Sequence, residues 1–193
     1  MAACLFAGCT SDGWTSEERE LIENQPVVMR VLTIDDPADA AVLREKSRDL
    51  PASALSEPLY PELAAKMIAT VTSPQQGGVG IAGPQVGILR RVVAVQRFDK
   101  EGEPFEVYPN IRIVAKRGEP EPGAEGCLSV PNRRGTVLRW RDIDICYTDP
   151  ATGRDTTEHI EGFTAVIFQH ETDHLEGVLY IDKLEAADNQ PTE

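Results

Sequence analysis

The segment Gln169-His170-Glu171-Thr172-Asp173-His174 sets two imidazoles four residues apart, with a carboxylate directly after the first. On a helix that spacing puts the rings about 40° apart around the axis and roughly 6 Å along it, so both can reach one ion. Glu171 would then lie beside the ion rather than on it, placed to take a proton from an ion-bound water and pass it on. The chain has only three histidines, and Phe163-Thr164-Ala165-Val166-Ile167-Phe168 ahead of the motif is almost wholly apolar. A helix apolar on most of its sides is buried. Polar groups at the end of such a helix need partners, because an unpaired one is costly. Short His-Glu-x-x-His matches also arise by chance, so the motif alone leaves a hydrolytic metal site and a set of satisfied core residues both open.

A third ligand is needed for a catalytic site. The four cysteines, Cys4, Cys9, Cys127 and Cys146, are spaced too irregularly for a disulfide framework. Cys146 sits in an alternating stretch and reads as a small core residue. Cys127 lies between a glycine-rich turn and a strand; joined to His170 and His174 it would give a Cys-His-His set with an open fourth position, the arrangement that holds a reactive water.

Several elements must position these groups. At 193 residues the chain is long enough for one domain with a real core. Its 19 basic and 32 acidic residues leave a net charge of −13, which argues against broad nucleic-acid binding or attraction to an anionic membrane. No apolar run reaches the length of a membrane-spanning helix. A capping pattern opening at Ser16 predicts a short helix over 16–25, stopped by Pro26. Residues 27–34 read as a strand or extended arm, and Asp36-Pro37 opens a helical stretch through Leu43 ending near Ser47. A proline-rich connector over 49–61 precedes a helix starting at Pro61 with Leu63, Met67, Ile68 and Val71 as its core stripe. Residues 75–87 are dense in glycine, as where another group approaches the backbone closely, yet they lack the lysine of a phosphate loop. Strands are predicted at 91–96, 106–108, 111–115, 142–148 and 156–160, with a loop at 118–124. Gly177 is a C-cap for the motif helix. The expected fold class is α+β, with short antiparallel strands packed around a central buried helix.

Gly78-Val79-Gly80-Ile81-Ala82-Gly83-Pro84-Gln85, Glu125-Gly126-Cys127-Leu128-Ser129 and Gln169 to His174 together resemble the three ordered signatures of the peptide deformylases. The likeness covers roughly residues 27–184, with 1–26 as an N-terminal extension and 185–193 as an acidic tail. It implies removal of the formyl group from N-formylmethionyl peptides or nascent polypeptides. It implies Cys127, His170 and His174 as ligands of one divalent ion, Fe²⁺ natively, with Zn²⁺, Ni²⁺ or Co²⁺ also accepted. Glu171 matches the family's acid/base, and the Gln85 amide and Leu128 N–H match its oxyanion donors. An extended peptide would pair with Val79-Gly80 and Gly126, with methionine in an apolar pocket of Val79, Phe163, Val166 and Ile167 and Arg134 in contact with the substrate. Asp173 reads as a partner that orients a neighbouring group. Gly83 replaces the family's usual alanine, which is expected to loosen that turn.

The family resemblance implies a bacterial cytoplasmic enzyme. The segment Met1 to Cys9 followed by Thr10-Ser11-Asp12 also resembles a lipoprotein cleavage site, which would put a lipid anchor at Cys9 and the protein outside the cytoplasm. Two other functions fit parts of the pattern: a metallopeptidase, and an exported metal-binding or formyl-peptide-binding protein with little turnover. The cysteine ligand and the two upstream motifs argue against the first. Glu171 and Gln85, which mere binding does not need, argue against the second.

Overall fold

The computed structural model describes residues 13–185; the expected anchor at Cys9 and the acidic tail beyond Glu185 lie outside them. Four helices come first: α1 (Ser16–Asn24), α2 (Pro37–Leu43), α3 (Ala52–Leu55) and α4 (Leu59–Val71). Eight strands follow: β1 (Gly80–Ala82), β2 (Val92–Gln96), β3 (Phe105–Pro109), β4 (Arg112–Arg117), β5 (Glu121–Cys127), β6 (Val130–Arg139), β7 (Asp142–Asp149) and β8 (Arg154–Glu161). Helix α5 (Gly162–His174) carries the histidine motif. The strands form three sheets, β1-β2-β3, β4-β7-β8 and β5-β6, with every pairing between named strands antiparallel. The expected α+β class is what the structure has.

Strand β2 divides the core. Val92 and Ala94 pack with Leu63, Met67 and Val71 of α4, while Val93 and Val95 pack with Ile143, Ile145, Ile160, Ala165 and Phe168. Alternate side chains of a strand point to opposite faces, so a strand buried on both reads as a continuous apolar run. Ala165, Val166, Ile167 and Phe168 are all buried, as the apolar run ahead of the histidines requires. Fully burying one such large side chain is worth about 1.5–3 kcal/mol, which fixes α5 as the rigid centre of the fold. Its C-terminus closes as expected at Gly177 (φ +71°): the Gly177 N–H donates to the His174 carbonyl at 3.1 Å and the Val178 N–H to the Asp173 carbonyl at 3.0 Å.

Local details differ from the sequence reading. The cap of α1 is Thr15, one residue early; its hydroxyl accepts from the Glu18 N–H while Glu18 accepts from the Thr15 N–H. Residues 27–34 form no named strand. This stretch is an arm whose Leu32 N–H donates to the Gln85 carbonyl at 2.8 Å and whose Ile34 N–H donates to the Ser129 carbonyl at 2.9 Å, tying together two loops of the site. The connector over 49–61 contains α3, and α4 begins at Leu59, with Pro61 in its first turn where a missing N–H costs nothing. The loop expected at 118–124 is mostly strand β5, paired residue for residue with β6 from Glu121 opposite Arg139 to Gly126 opposite Arg134.

One buried cation holds two sheets together. Arg97 is 1% exposed and donates to Asp99 (2.8 and 2.6 Å), Glu158 (2.7 Å), Glu106 (3.2 Å) and the Tyr108 hydroxyl (2.5 Å). The Arg97 hydrogen bonds hold Asp99 below the ordinary carboxylate range; at Glu106 burial pushes upward but bonds from Lys100 and Tyr108 and nearby positive charge win. Groups with depressed values stabilise the fold above their unfolded pKa and lose that contribution as pH falls through the folded value. Arg97→Met is therefore expected to cost about 3 kcal/mol at pH 7, the low end for a broken buried pair because the carboxylates keep some water. Urea unfolding at pH 7 and pH 4 should show the gap between wild type and variant narrowing at the lower pH.

Candidate active site

Three chain segments converge at the C-terminal half of α5. Cys127 ends β5, His170 and His174 lie one turn apart on the helix, and one ligand atom from each falls within 4.8 Å of the other two. Cys127 Sγ is 3.2 Å from His174 Nε2. His170 Nδ1 is held at 2.8 Å by Glu125 Oε2, which leaves its Nε2 for the cluster. A thiolate and two imidazole nitrogens suit Zn²⁺, Fe²⁺, Ni²⁺ or Co²⁺ and leave room for a fourth, exchangeable ligand. The donor set therefore fits one divalent ion. A second group, Asp142, His159 and Glu161, is largely exposed and already shares the guanidinium of Arg117, which donates to Asp142 at 3.0 Å and Asp144 at 2.9 Å.

Electrostatics separates the two histidines. Burial and the positive charges at His170 and Arg139 hold His174 well below the ordinary imidazole range. At His170 burial pushes the same way, but Cys127 and Glu125 outweigh it and the value rises. Glu125 anchors this arrangement. Burial alone would raise its carboxyl, yet hydrogen bonds from His170 and Arg139 bring it down to about 2. Arg139 donates to Glu125 at 2.7 and 3.0 Å and to Asp173 at 2.5 Å, and Lys183 donates to both Asp173 oxygens at 2.6 Å. Asp173 thus orients a neighbour as expected, with Arg139 as that neighbour. Glu125 and Arg139 were not singled out in the sequence: 45 residues separate Glu125 from His170, and the only hint was an acid beside the Gly-Cys pair.

Glu171 faces the same space. It is 4% exposed, its Oε2 has no hydrogen-bond partner among the described residues, and burial raises its carboxyl to about 7, with Glu125 adding to the rise and His170 opposing it. A carboxyl poised near neutrality can both accept and release a proton. The reason for Gly80 is now visible: a Cβ there would lie 2.5 Å from Glu171 Oε1. Gly80→Ala must push the carboxylate aside, and displacements near 1 Å can cost about 100-fold in rate. We expect kcat for a formylated peptide to fall by about that factor with bound metal unchanged, measured by steady-state kinetics beside metal analysis.

Gln85 is fixed from both ends. Its Oε1 accepts from the Ala82 N–H at 2.8 Å, so its NH₂ must face the site, where Nε2 donates to Ser129 Oγ at 3.2 Å and lies 3.6 Å from Cys127 Sγ. Ser129, quoted in the second motif but given no role there, is a further support. The turn that carries Gln85 is tight rather than loosened by Gly83: a Cβ at Gly83 would meet the Ile88 carbonyl at 2.6 Å and the Arg90 carbonyl at 2.8 Å.

A cleft of about 770 Å³ opens above these groups. Val79, Gly80, Gln85, Gly126, Cys127, Leu128, Arg134, Phe163, Val166, Ile167, His170 and Glu171 all line it. Every sequence-predicted site residue except His174, which lies beneath the cleft at 1% exposure, is on its wall. Phe163 is 49% exposed and packs on Phe98 with centroids 5.4 Å apart, so it stands at the rim, while Val166 and Ile167 lie deeper.

A buried helix offering two imidazoles and a near-neutral glutamate, a cysteine from a neighbouring hairpin and a locked amide opposite define a metal-dependent amide hydrolase. Comparison with known proteins makes the class particular. The sequence matches the family model described as Polypeptide deformylase over residues 28–190. A peptide deformylase of Desulforudis audaxviator is 37% identical over 156 residues, 81% of this chain and 93% of that protein. The fold superposes on a class I type b peptide deformylase from Acinetobacter baumannii with TM-score 0.73 and 34% identity, covering 82% of this chain and all of the other. A structure of that type from the same organism with Met-Ala-Ser bound gives TM-score 0.71 and 32% identity, covering 81% and 98%. This chain belongs to the polypeptide deformylase family, which includes the bacterial proteins just named, and its activity is metal-dependent removal of the formyl group from formylmethionyl peptides. Among the described residues no helix is long and apolar enough to cross a membrane.

Proposed function

We propose that Cys127, His170 and His174 hold one Fe²⁺ ion, with Zn²⁺, Ni²⁺ or Co²⁺ able to replace it, and that the surrounding side chains carry out deformylation of nascent bacterial polypeptides in the cytoplasm. The observation that carries this reading is the buried Glu171 carboxyl, unpartnered at one oxygen, facing the cleft beside the Cys-His-His cluster. When bound, the ion supplies Lewis acidity, lowering the pKa of water and polarising the formyl carbonyl.

Glu171 removes a proton from the attacking water and returns it to the departing amine, so that the C–N bond breaks to formate and a free N-terminus. The Gln85 NH₂ and the Leu128 N–H stabilise the oxygen charge that grows as the formyl carbon becomes tetrahedral; losing one such donor typically costs about 10²–10³ in rate. Peptide backbone pairs with Val79-Gly80 on one side and Gly126 on the other, giving affinity with little demand on sequence. Methionine enters the apolar wall of Val79, Val166 and Ile167 with Phe163 across its mouth, and Arg134 meets the peptide beyond it. The Met-Ala-Ser ligand of the A. baumannii relative has the form of the product this reaction would leave. The test is release of formate from formyl-Met-Ala-Ser by protein loaded anaerobically with Fe²⁺. No formate under those conditions would exclude this function.

A further inference from the structure

Most arginines of this fold are neutralised at home: Arg30 by Asp39, Arg91 by Glu176, Arg112 by Asp49 and Arg117 by Asp144. With 32 acidic against 19 basic residues, carboxylates are plentiful. Arg133 and Arg134 are exposed, adjacent, and without a carboxylate partner among the described residues, yet both line the active-site cleft. Asn132, in the left-handed conformation (φ +59°), turns the chain into this pair. Arg134 stands opposite Gly126 in the β5-β6 ladder, and its stem passes over the glycine, with Cγ 3.5 Å from where a Cβ would be. The two arginines therefore border the edge along which an extended peptide would run.

The acids of the cleft do not answer them. Glu125 and Glu171 line its floor, both buried, and Glu125 is already bound by Arg139 and His170. Gln76 and Gly77, which also line the cleft, are neutral. A locally cationic mouth on an anionic protein selects by charge, because each peptide carboxylate gains attraction there and each ammonium meets repulsion.

We propose that Arg133, acting with Arg134, is a specificity-determining residue that makes this deformylase prefer formylmethionyl peptides carrying a carboxylate two residues after the methionine. The inference rests on the functional reading above and goes further by naming the substrate class. The carboxylate can come from an Asp or Glu side chain or from the C-terminus of a tripeptide, and amidated peptides separate the two.

The test compares kcat/KM for formyl-Met-Ala-Glu-amide, formyl-Met-Ala-Lys-amide, formyl-Met-Ala-Ser-amide and formyl-Met-Ala-Ser with a free C-terminus, using Fe²⁺-loaded wild type and Arg133→Gln. Two exposed arginines acting on a reversed charge should give wild type about a tenfold preference for Glu over Lys at low ionic strength, shrinking in 0.5 M salt. Arg133→Gln should cut that ratio to about threefold. If only the free C-terminus raises kcat/KM above the amidated peptide, the clamp reads the terminal carboxylate and the side-chain preference is overturned. A Glu to Lys ratio near one in wild type, or one that Arg133→Gln leaves unchanged, overturns the proposal while leaving deformylation intact. Titration calorimetry of the products Met-Ala-Glu-amide and Met-Ala-Lys-amide reads the same preference without turnover, so loss of all formate release would count against the enzyme function and equal product affinities against the clamp.

Discussion

Replacing Glu171 with alanine is expected to lower kcat/KM for formyl-Met-Ala-Ser by about 10³–10⁴-fold, because one residue takes the proton from water and delivers it to the amine. The metal should stay. Glu171 is not among the three converging ligand atoms, and the groups that orient His170 are Glu125 and, through it, Arg139. The decisive measurement is paired: formate release alongside metal content by atomic absorption. A variant that keeps most of its activity would remove Glu171 from the proton-carrying role, and a variant that loses activity together with its metal would make the residue structural. Glu171→Gln sharpens the comparison, since it preserves the packing against Gly80 while removing the ionisable group.

Cys127→Ser is the second large effect. Oxygen replaces the softest donor of the set, and serine is far harder to deprotonate than cysteine. Loss of an outer partner of a ligand commonly costs 10–100-fold in metal affinity, so loss of a direct donor should weaken it by more than about 100-fold. Competition with a chromophoric chelator measures this. Gln85 Nε2 also loses its sulfur neighbour but keeps Ser129 at 3.2 Å, so the amide should hold its place and the defect should lie in metal retention. Metal affinity equal to wild type would mean that Cys127 is not the third ligand.

What could be read from the sequence was what repeats locally or stands in a short motif. The i, i+4 histidines, the apolar run before them and the glycine that closes α5 are all set within a turn or two of helix, so the motif helix and its burial were legible. The β5 strand was not. Glu121-Pro122-Gly123 has the composition of a loop, and its extended form comes from pairing with β6, whose partner residues lie up to 18 positions away. Val27 to Ile34 was legible only as one of two alternatives, a strand or an extended arm: it is the arm, because its backbone bonds go to loops at Gln85 and Ser129 instead of to a sheet. Glu125, Arg139 and Ser129 escaped for one reason. Each acts by holding another side chain, and such relations appear only when distant segments meet.

The buried pair between Arg90 and Glu18 has a consequence for how the molecule opens. Arg90 is fully buried, donates to both Glu18 oxygens at 2.6 and 2.8 Å and to the Gly13 carbonyl at 2.8 Å, and lies 6.0 Å from the centre of the Trp14 ring. Releasing α1 would leave that buried guanidinium the Asp49 carbonyl at 3.1 Å but take away its carboxylate, so fraying of this helix is coupled to loss of the core around α4. Amide protons of Leu21 and Ile22 should then exchange with solvent deuterium at the slow rate of global opening, and Trp14 emission should report the same cooperative transition.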